Sequence, residues 1–89
     1  MQDKNGIFYY PYPNNKRIRM YVREENGTVE FRLANADHPE IWERHGWLDM
    51  DLIKRGAEKF KAERDSKADP TAIYDLQTAN YLLKEAKKK

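Results

Sequence analysis

Polar and apolar residues alternate along Arg17-Ile18-Arg19-Met20-Tyr21-Val22-Arg23, and the alternation resumes after Asn26-Gly27 in Thr28-Val29-Glu30-Phe31-Arg32-Leu33. A period of two on both sides of a two-residue turn specifies a β-hairpin together with its register. An Asn-Gly loop of type I′ needs positive φ at both positions, which these two residues tolerate best. With Asn26 and Gly27 as that loop, Arg23 faces Glu30, Val22 faces Phe31, Tyr21 faces Arg32 and Met20 faces Leu33. Strand side chains alternate between faces, so Ile18, Met20, Val22, Val29, Phe31 and Leu33 share one side. A slip of one residue would put that whole set in water. Arg17, Arg19, Tyr21, Arg23, Glu30 and Arg32 are left on the opposite side.

A further strand is expected before the hairpin, because Ile7-Phe8-Tyr9-Tyr10 is a β-prone aromatic run. Pro11 and Pro13 lack N–H donors and place this strand at an edge. If Asn14-Asn15 forms a two-residue loop, Ile7 and Tyr9 join the core face, and Phe8, Tyr10 and Tyr12 lie beside Tyr21, Arg19 and Arg17. A three-residue loop would reverse that facing.

After Leu33 the period changes. Asp37-His38-Pro39-Glu40 reads as a helix start, with Asp37 as N-cap and Glu40 in a variant capping box, and Gly46 as the glycine that ends it. Asp49 is a second N-cap, followed by the apolar stripe Ile53, Ala57 and Phe60. Asp69-Pro70 opens the last helix, where Ala72, Leu76, Ala79, Leu83 and Ala86 alternate small and large residues. The pattern predicts an α+β chain: a three-stranded antiparallel meander over about 7–12, 17–25 and 28–34, then helices over about 38–45, 50–64 and 70–86. The last two helices are expected to form a helical hairpin.

Composition narrows the function classes. The 89 residues suit one domain, expected over 1–86 with a flexible lysine tail at 87–89. There is no cysteine, which excludes disulfides and thiolate metal sites and fits a reducing, cytoplasmic setting. No run approaches the apolar length of a membrane helix, and the first residues lack a signal-peptide pattern. The net charge is +2, but subtracting Lys87, Lys88 and Lys89 leaves the rest of the chain at −1. A duplex-binding domain concentrates a basic excess on one face.

No catalytic residue is assigned: the chain has no Gly-rich phosphate loop, no Gly-x-Ser-x-Gly elbow and no cysteine nucleophile. No cofactor or metal is expected either. His38 and His45, seven residues apart on one helix, would lie about 10 Å apart along its axis, too far to share an ion directly. Trp42 and Trp47 read as core.

The Arg/Tyr side of the sheet is the candidate binding surface, through Tyr10, Tyr12, Arg17, Arg19, Tyr21 and Arg32. Cross-strand pairing of Arg23 with Glu30 and of Tyr21 with Arg32 would account for part of it without any ligand. Tyrosine and arginine dominate protein–protein contact energies, so the expected function is a non-enzymatic interaction module. Its partner would be an unidentified protein or a second copy, met on the sheet's outer face or edge. The alternative is a weak single-stranded nucleic-acid binder using the same residues.

Overall fold

The computed structural model describes residues 2–64 and 73–87, with the backbone alone over 58–64. Its centre is the expected hairpin. Strands β3 (Ile18–Glu25) and β4 (Thr28–Asn35) pair antiparallel from Ile18↔Asn35 to Glu25↔Thr28, including Arg23↔Glu30, Tyr21↔Arg32 and Met20↔Leu33. Asn26 and Gly27 both take positive φ, 54° and 81°, as a type I′ loop requires.

The sheet has five strands rather than the three-stranded meander expected from the sequence, in the order β1-β2-β3-β4-β5. β1 (Gln2–Asp3) and β5 (Leu48–Asp49) are two residues long, too short to carry a period. β1 pairs with β2 (Gly6–Tyr9), and β5 pairs with β4 at Glu30↔Asp49 and Phe31↔Leu48. β2 stops at Tyr9, short of the expected residue 12, where Pro11 and Pro13 would leave a ladder without donors. Its register on β3, Ile7↔Val22, Phe8↔Tyr21 and Tyr9↔Met20, matches the one an Asn14-Asn15 loop implies. The connection nevertheless spans residues 10–17 and is built from turns, with Asn15 N–H donating to the Tyr12 carbonyl at 2.9 Å and Ile18 N–H to Asn15 at 3.3 Å.

α1 (Glu40–His45) begins after Pro39 instead of at residue 38, without a side-chain cap. Asp37 is unavailable as the cap: its carboxylate accepts from Arg17 at 2.6 Å, and its own N–H donates to Asn35 Oδ1 at 2.9 Å. Gly46, at φ 63°, ends the helix and donates its N–H to the Trp42 carbonyl. α2 (Met50–Arg64) follows β5 without a loop residue, and Asp49 caps it by accepting from Leu52 N–H at 2.9 Å.

α3 (Leu76–Lys87) starts later than the expected residue 70. Asp75 caps it, accepting from Thr78 N–H at 3.1 Å and from the Thr78 hydroxyl at 2.7 Å. The Asp69-Pro70 start, Ala72 and the side chain of Phe60 lie outside the described residues. Lys87, placed by the sequence reading in a flexible tail, closes α3 and pairs with Glu24 at 3.0 Å. Among the described residues, α3 packs across β2, β3 and β4, and Ile53 of α2 joins Ala79 and Leu83 of α3 in one buried cluster. The connection of the expected helical hairpin, over 65–72, lies outside the described residues.

On this side of the sheet Tyr9, Met20, Val22, Phe31, Ile53, Ala79 and Leu83 form one buried cluster. Removing such side chains from water stabilises a fold by roughly 1.5–3 kcal/mol each. The Tyr9 hydroxyl ties the start of α3 to it, donating to the Ile73 carbonyl at 2.5 Å and accepting from Asp75 N–H at 2.9 Å. No helix among the described residues is long and apolar enough to cross a membrane.

Candidate functional site

The opposite side of the sheet, expected to be open, is covered by α1. Its Trp42 meets Tyr21 edge-on at 5.3 Å, Tyr21 meets Phe8 at the same distance, and Trp47 meets Trp42 at 6.1 Å between ring centroids. Tyr21 is only 2% exposed and Phe8 is also buried. The arginines lie among these rings. Arg19 stacks on Phe8 at 4.7 Å, Arg23 on Trp47 at 4.4 Å and Arg32 on Trp42 at 3.9 Å. Such contacts contribute about 0.5–1 kcal/mol when exposed and about 2 when desolvated. Arg32 is the most enclosed of the three, with a side chain 15% exposed and Nε donating to the Trp42 carbonyl at 2.8 Å.

The stacked guanidinium groups also meet carboxylates. Arg23 pairs with Glu30 at 2.7 Å, directly across the hairpin. Arg19 pairs with Asp3 at 2.7 Å, and the Tyr21 hydroxyl donates to the same carboxylate. Asn5 N–H adds a further bond to Asp3 at 2.8 Å. Burial pushes the Asp3 pKa up, but the bonds from Tyr21, Asn5 and Arg19 outweigh it and hold the carboxyl below its ordinary value. Burial and the Asp3 bond raise the Tyr21 pKa, so this hydroxyl stays a donor. The network fastens β1 to the centre of the sheet.

Beside it opens a groove of about 550 Å³, within the size range of ligand sites. Lys16, Arg17 and Arg19 give it a basic lining along the entry to β3, Ala34, Ala36, Pro39 and Trp42 an apolar wall along the end of β4 and the start of α1, and Asn5 and Asn35 add amides. The Arg17 side chain is 70% exposed, and its bond to Asp37 uses a single nitrogen.

The six candidate residues are therefore not one surface. Arg17, Arg19 and Tyr21 line the groove, Tyr21 from beneath and without an exposed ring. Arg32 stands next to Trp42, outside the groove's lining. Tyr10 packs edge-on against Phe8 and faces a separate cleft of about 420 Å³ with Tyr9, Pro11, Pro13 and Asp75. Tyr12 is 45% exposed and lines neither. Lys16, Asn5, Asn35, Pro39 and Trp42 were missed. The available signal was Trp42: a tryptophan on a six-residue helix needs a neighbour, and the aromatic, arginine-rich sheet face supplies one.

A second cluster joins the two layers. His45, at the end of α1, places Nδ1 2.6 Å from the Gly46 carbonyl and Nε2 2.7 Å from the Tyr74 hydroxyl. Its ring stacks on Tyr74, which in turn packs edge-on against Phe31 in the main core. A carbonyl can only accept, so Nδ1 carries the proton and neutral Nε2 accepts from Tyr74. Burial lowers the His45 pKa; the Gly46 bond opposes this and the Arg32 charge adds to it. Among the described residues, no group of three or more His, Cys, Asp or Glu side chains is arranged to hold a metal ion.

No family model matches the chain, and no solved structure does. The chain is similar to the uncharacterized protein EEED8.2 of Caenorhabditis elegans, at 30% identity over 93 aligned positions. The match takes in 86% of this chain and 30% of that protein, so the chain spans less than a third of its relative's length.

Proposed function

We propose that this chain is a small non-enzymatic cytosolic interaction module, which engages a partner protein through the groove between the start of α1, the start of β3 and the end of β4. The observation that carries this reading is the groove's composition: three cations along the entry to β3 beside an apolar row from β4 and α1, where Ala34 pairs directly with Arg19, together with two amides. Protein interfaces combine those elements, an apolar centre with arginine-rich polar margins. The non-enzymatic part is supported by the groove's lining, which among the described residues includes no carboxylate. The two carboxylates bonded to lining residues are committed to structural partners: Asp3 to Arg19 and Tyr21, Asp37 to Arg17.

Single-stranded nucleic acid is less well supported. Base stacking needs accessible aromatic faces, and Phe8, Trp42 and Trp47 each already have a guanidinium over a face. A photo-cross-linking residue at position 16, compared with one at the well-exposed Tyr81 on α3, tests the module. A protein adduct specific to position 16 is the expected result. Equal adducts from both positions, or none from position 16, would remove the groove from consideration.

A further inference from the structure

The groove's chemistry carries its reading one step further, to the class of partner. We infer that it takes an acidic extended peptide segment in which carboxylate side chains alternate with apolar ones. This inference rests on the groove being the contact site. Its basis is an imbalance of charge. Three cations line the groove, and the two carboxylates beside it are already engaged. Arg19 is held by Asp3 and by its stack on Phe8, so it shapes the wall rather than offering a free donor.

Lys16 and Arg17 differ from it. Lys16 is exposed and has no ion-pair partner among the described residues. Arg17 spends one nitrogen on the half-exposed Asp37 and keeps its other N–H donors toward solvent. A guanidinium presents five donors, enough for a second carboxylate in fork geometry without releasing the first.

The apolar wall sets the second requirement. Ala34, Ala36 and Pro39 are small or rigid, and Trp42 adds the largest apolar side chain among them. The basic residues run along the entry to β3 and the apolar ones along the neighbouring β4, where Ala34 pairs with Arg19, and α1. An extended segment lying along the line between two such rows points alternate side chains to either side, so an acidic–apolar alternation addresses both. A uniform polyanion suits the groove less well, because Asp3 and Asp37 stand at its margins and would repel a regular row of charges.

The test is fluorescence anisotropy with three labelled probes: a short alternating Glu/Leu peptide, its Gln/Leu isostere and a thymidine oligonucleotide of equal length. They are titrated against wild type, Lys16→Glu/Arg17→Glu and a control Lys54→Glu on α2, with the Trp42 indole N–H followed by NMR. Both altered groove residues are exposed, so the double variant should retain its fold. The expected result is that the Glu/Leu peptide binds and shifts the Trp42 signal, and that charge reversal weakens it by about tenfold or more. The isostere should lose a similar factor, and Lys54→Glu should change nothing.

Equal binding of the isostere with a shift at Trp42 would leave the groove standing and overturn the acidic preference. Peptide binding untouched by the double reversal would overturn both. A Trp42 shift with the oligonucleotide alone would replace the protein partner by nucleic acid. Absence of peptide binding at millimolar concentration also overturns the inference.

Discussion

On the side of the sheet facing α2 and α3, Met20, Val22 and Phe31 are sealed by Ile53, Ala79 and Leu83 and by two tyrosines, Tyr9 and Tyr74, whose hydroxyls bond the start of α3 and His45. On the side facing α1, Phe8 and Tyr21 are equally dry, but the covering is a tryptophan pair and three stacked arginines whose charged ends reach carboxylates and solvent. Both sides come from one strand register. Apolar packing is non-directional and tolerates different occupants of similar volume, whereas stacked guanidinium groups depend on orientation and remain accessible at their rims. Buried core and potential contact surface are thus separated by a single strand thickness.

The largest test of that contrast is truncation on each side. Phe31→Ala should lower stability by about 3–5 kcal/mol, the range for a buried aromatic, whereas Trp42→Ala, on a partly exposed side chain, should cost about 2. Urea denaturation measures both. Equal losses would mean that the two coverings are energetically alike.

The next effect concerns the polar bond of the apolar side. Tyr9→Phe removes two hydrogen bonds and should cost about 1–2 kcal/mol, with faster amide exchange at Asp75. Its pH signature is distinctive. Burial above all pushes the Tyr9 pKa from 10.0 up to about 12. The neutral hydroxyl is favoured by the fold, so this contribution is complete below pH 10 and is lost as pH rises toward 12. Tyr21 and Tyr74 shift in the same direction, so the Phe variant should lose part of the alkaline limb and retain the rest.

A smaller effect tests the arginine side. Arg32→Lys keeps the charge and loses the planar stack and the Nε bond, at a cost of about 1 kcal/mol. Arg17→Lys, at an exposed ion pair, should stay within about 0.5 kcal/mol. If the two substitutions prove equivalent, stacking on Trp42 contributes nothing special.

The smallest effect lies where the two layers meet. The His45 pKa is lowered below 6.5, first by burial, so the fold prefers the neutral ring. Its contribution is complete above pH 6.5 and falls away as pH drops through that value toward the lowered one. His45→Gln should flatten stability across that interval in thermal melts. An unchanged slope there would mean that His45 contributes nothing to it; Asp3 and Asp75, whose pKa values are lowered, act only at lower pH.

The central hairpin was legible because every residue of it voted for the same register: alternation, Asn26-Gly27 and the Arg23–Glu30 pair agree. The pairing of Phe8 with Tyr21 was one of two facings that the sequence left open, because the choice hung on the length of the Asn14-Asn15 loop and the connection over 10–17 is built from turns instead. β1 and β5 were not legible, because two residues carry no period and Asp49 already had a sufficient role as a cap. The opened outer face was an error of context. Nothing in the alternation of Tyr21 and Arg32 distinguishes water from α1, and the covering depends on Trp42 returning over the sheet from a separate segment. The groove follows from that return, so its apolar wall was illegible even though Arg17 and Arg19 were in view. The early Asp69-Pro70 signal concerns residues that are not described, while Asp75 supplied a competing cap with Thr78 three positions on.

The junction between β5 and α2 has a mechanical consequence. Asp49 is the last strand residue and Met50 the first helical one, so the heading of α2 is transmitted from the sheet without slack. Adding one residue there would rotate the helix by about 100° and swing Ile53 and Ala57 away from the sheet. The fold therefore reads chain length at this point as strictly as it reads side-chain identity elsewhere, and homologous chains should vary in length anywhere sooner than here.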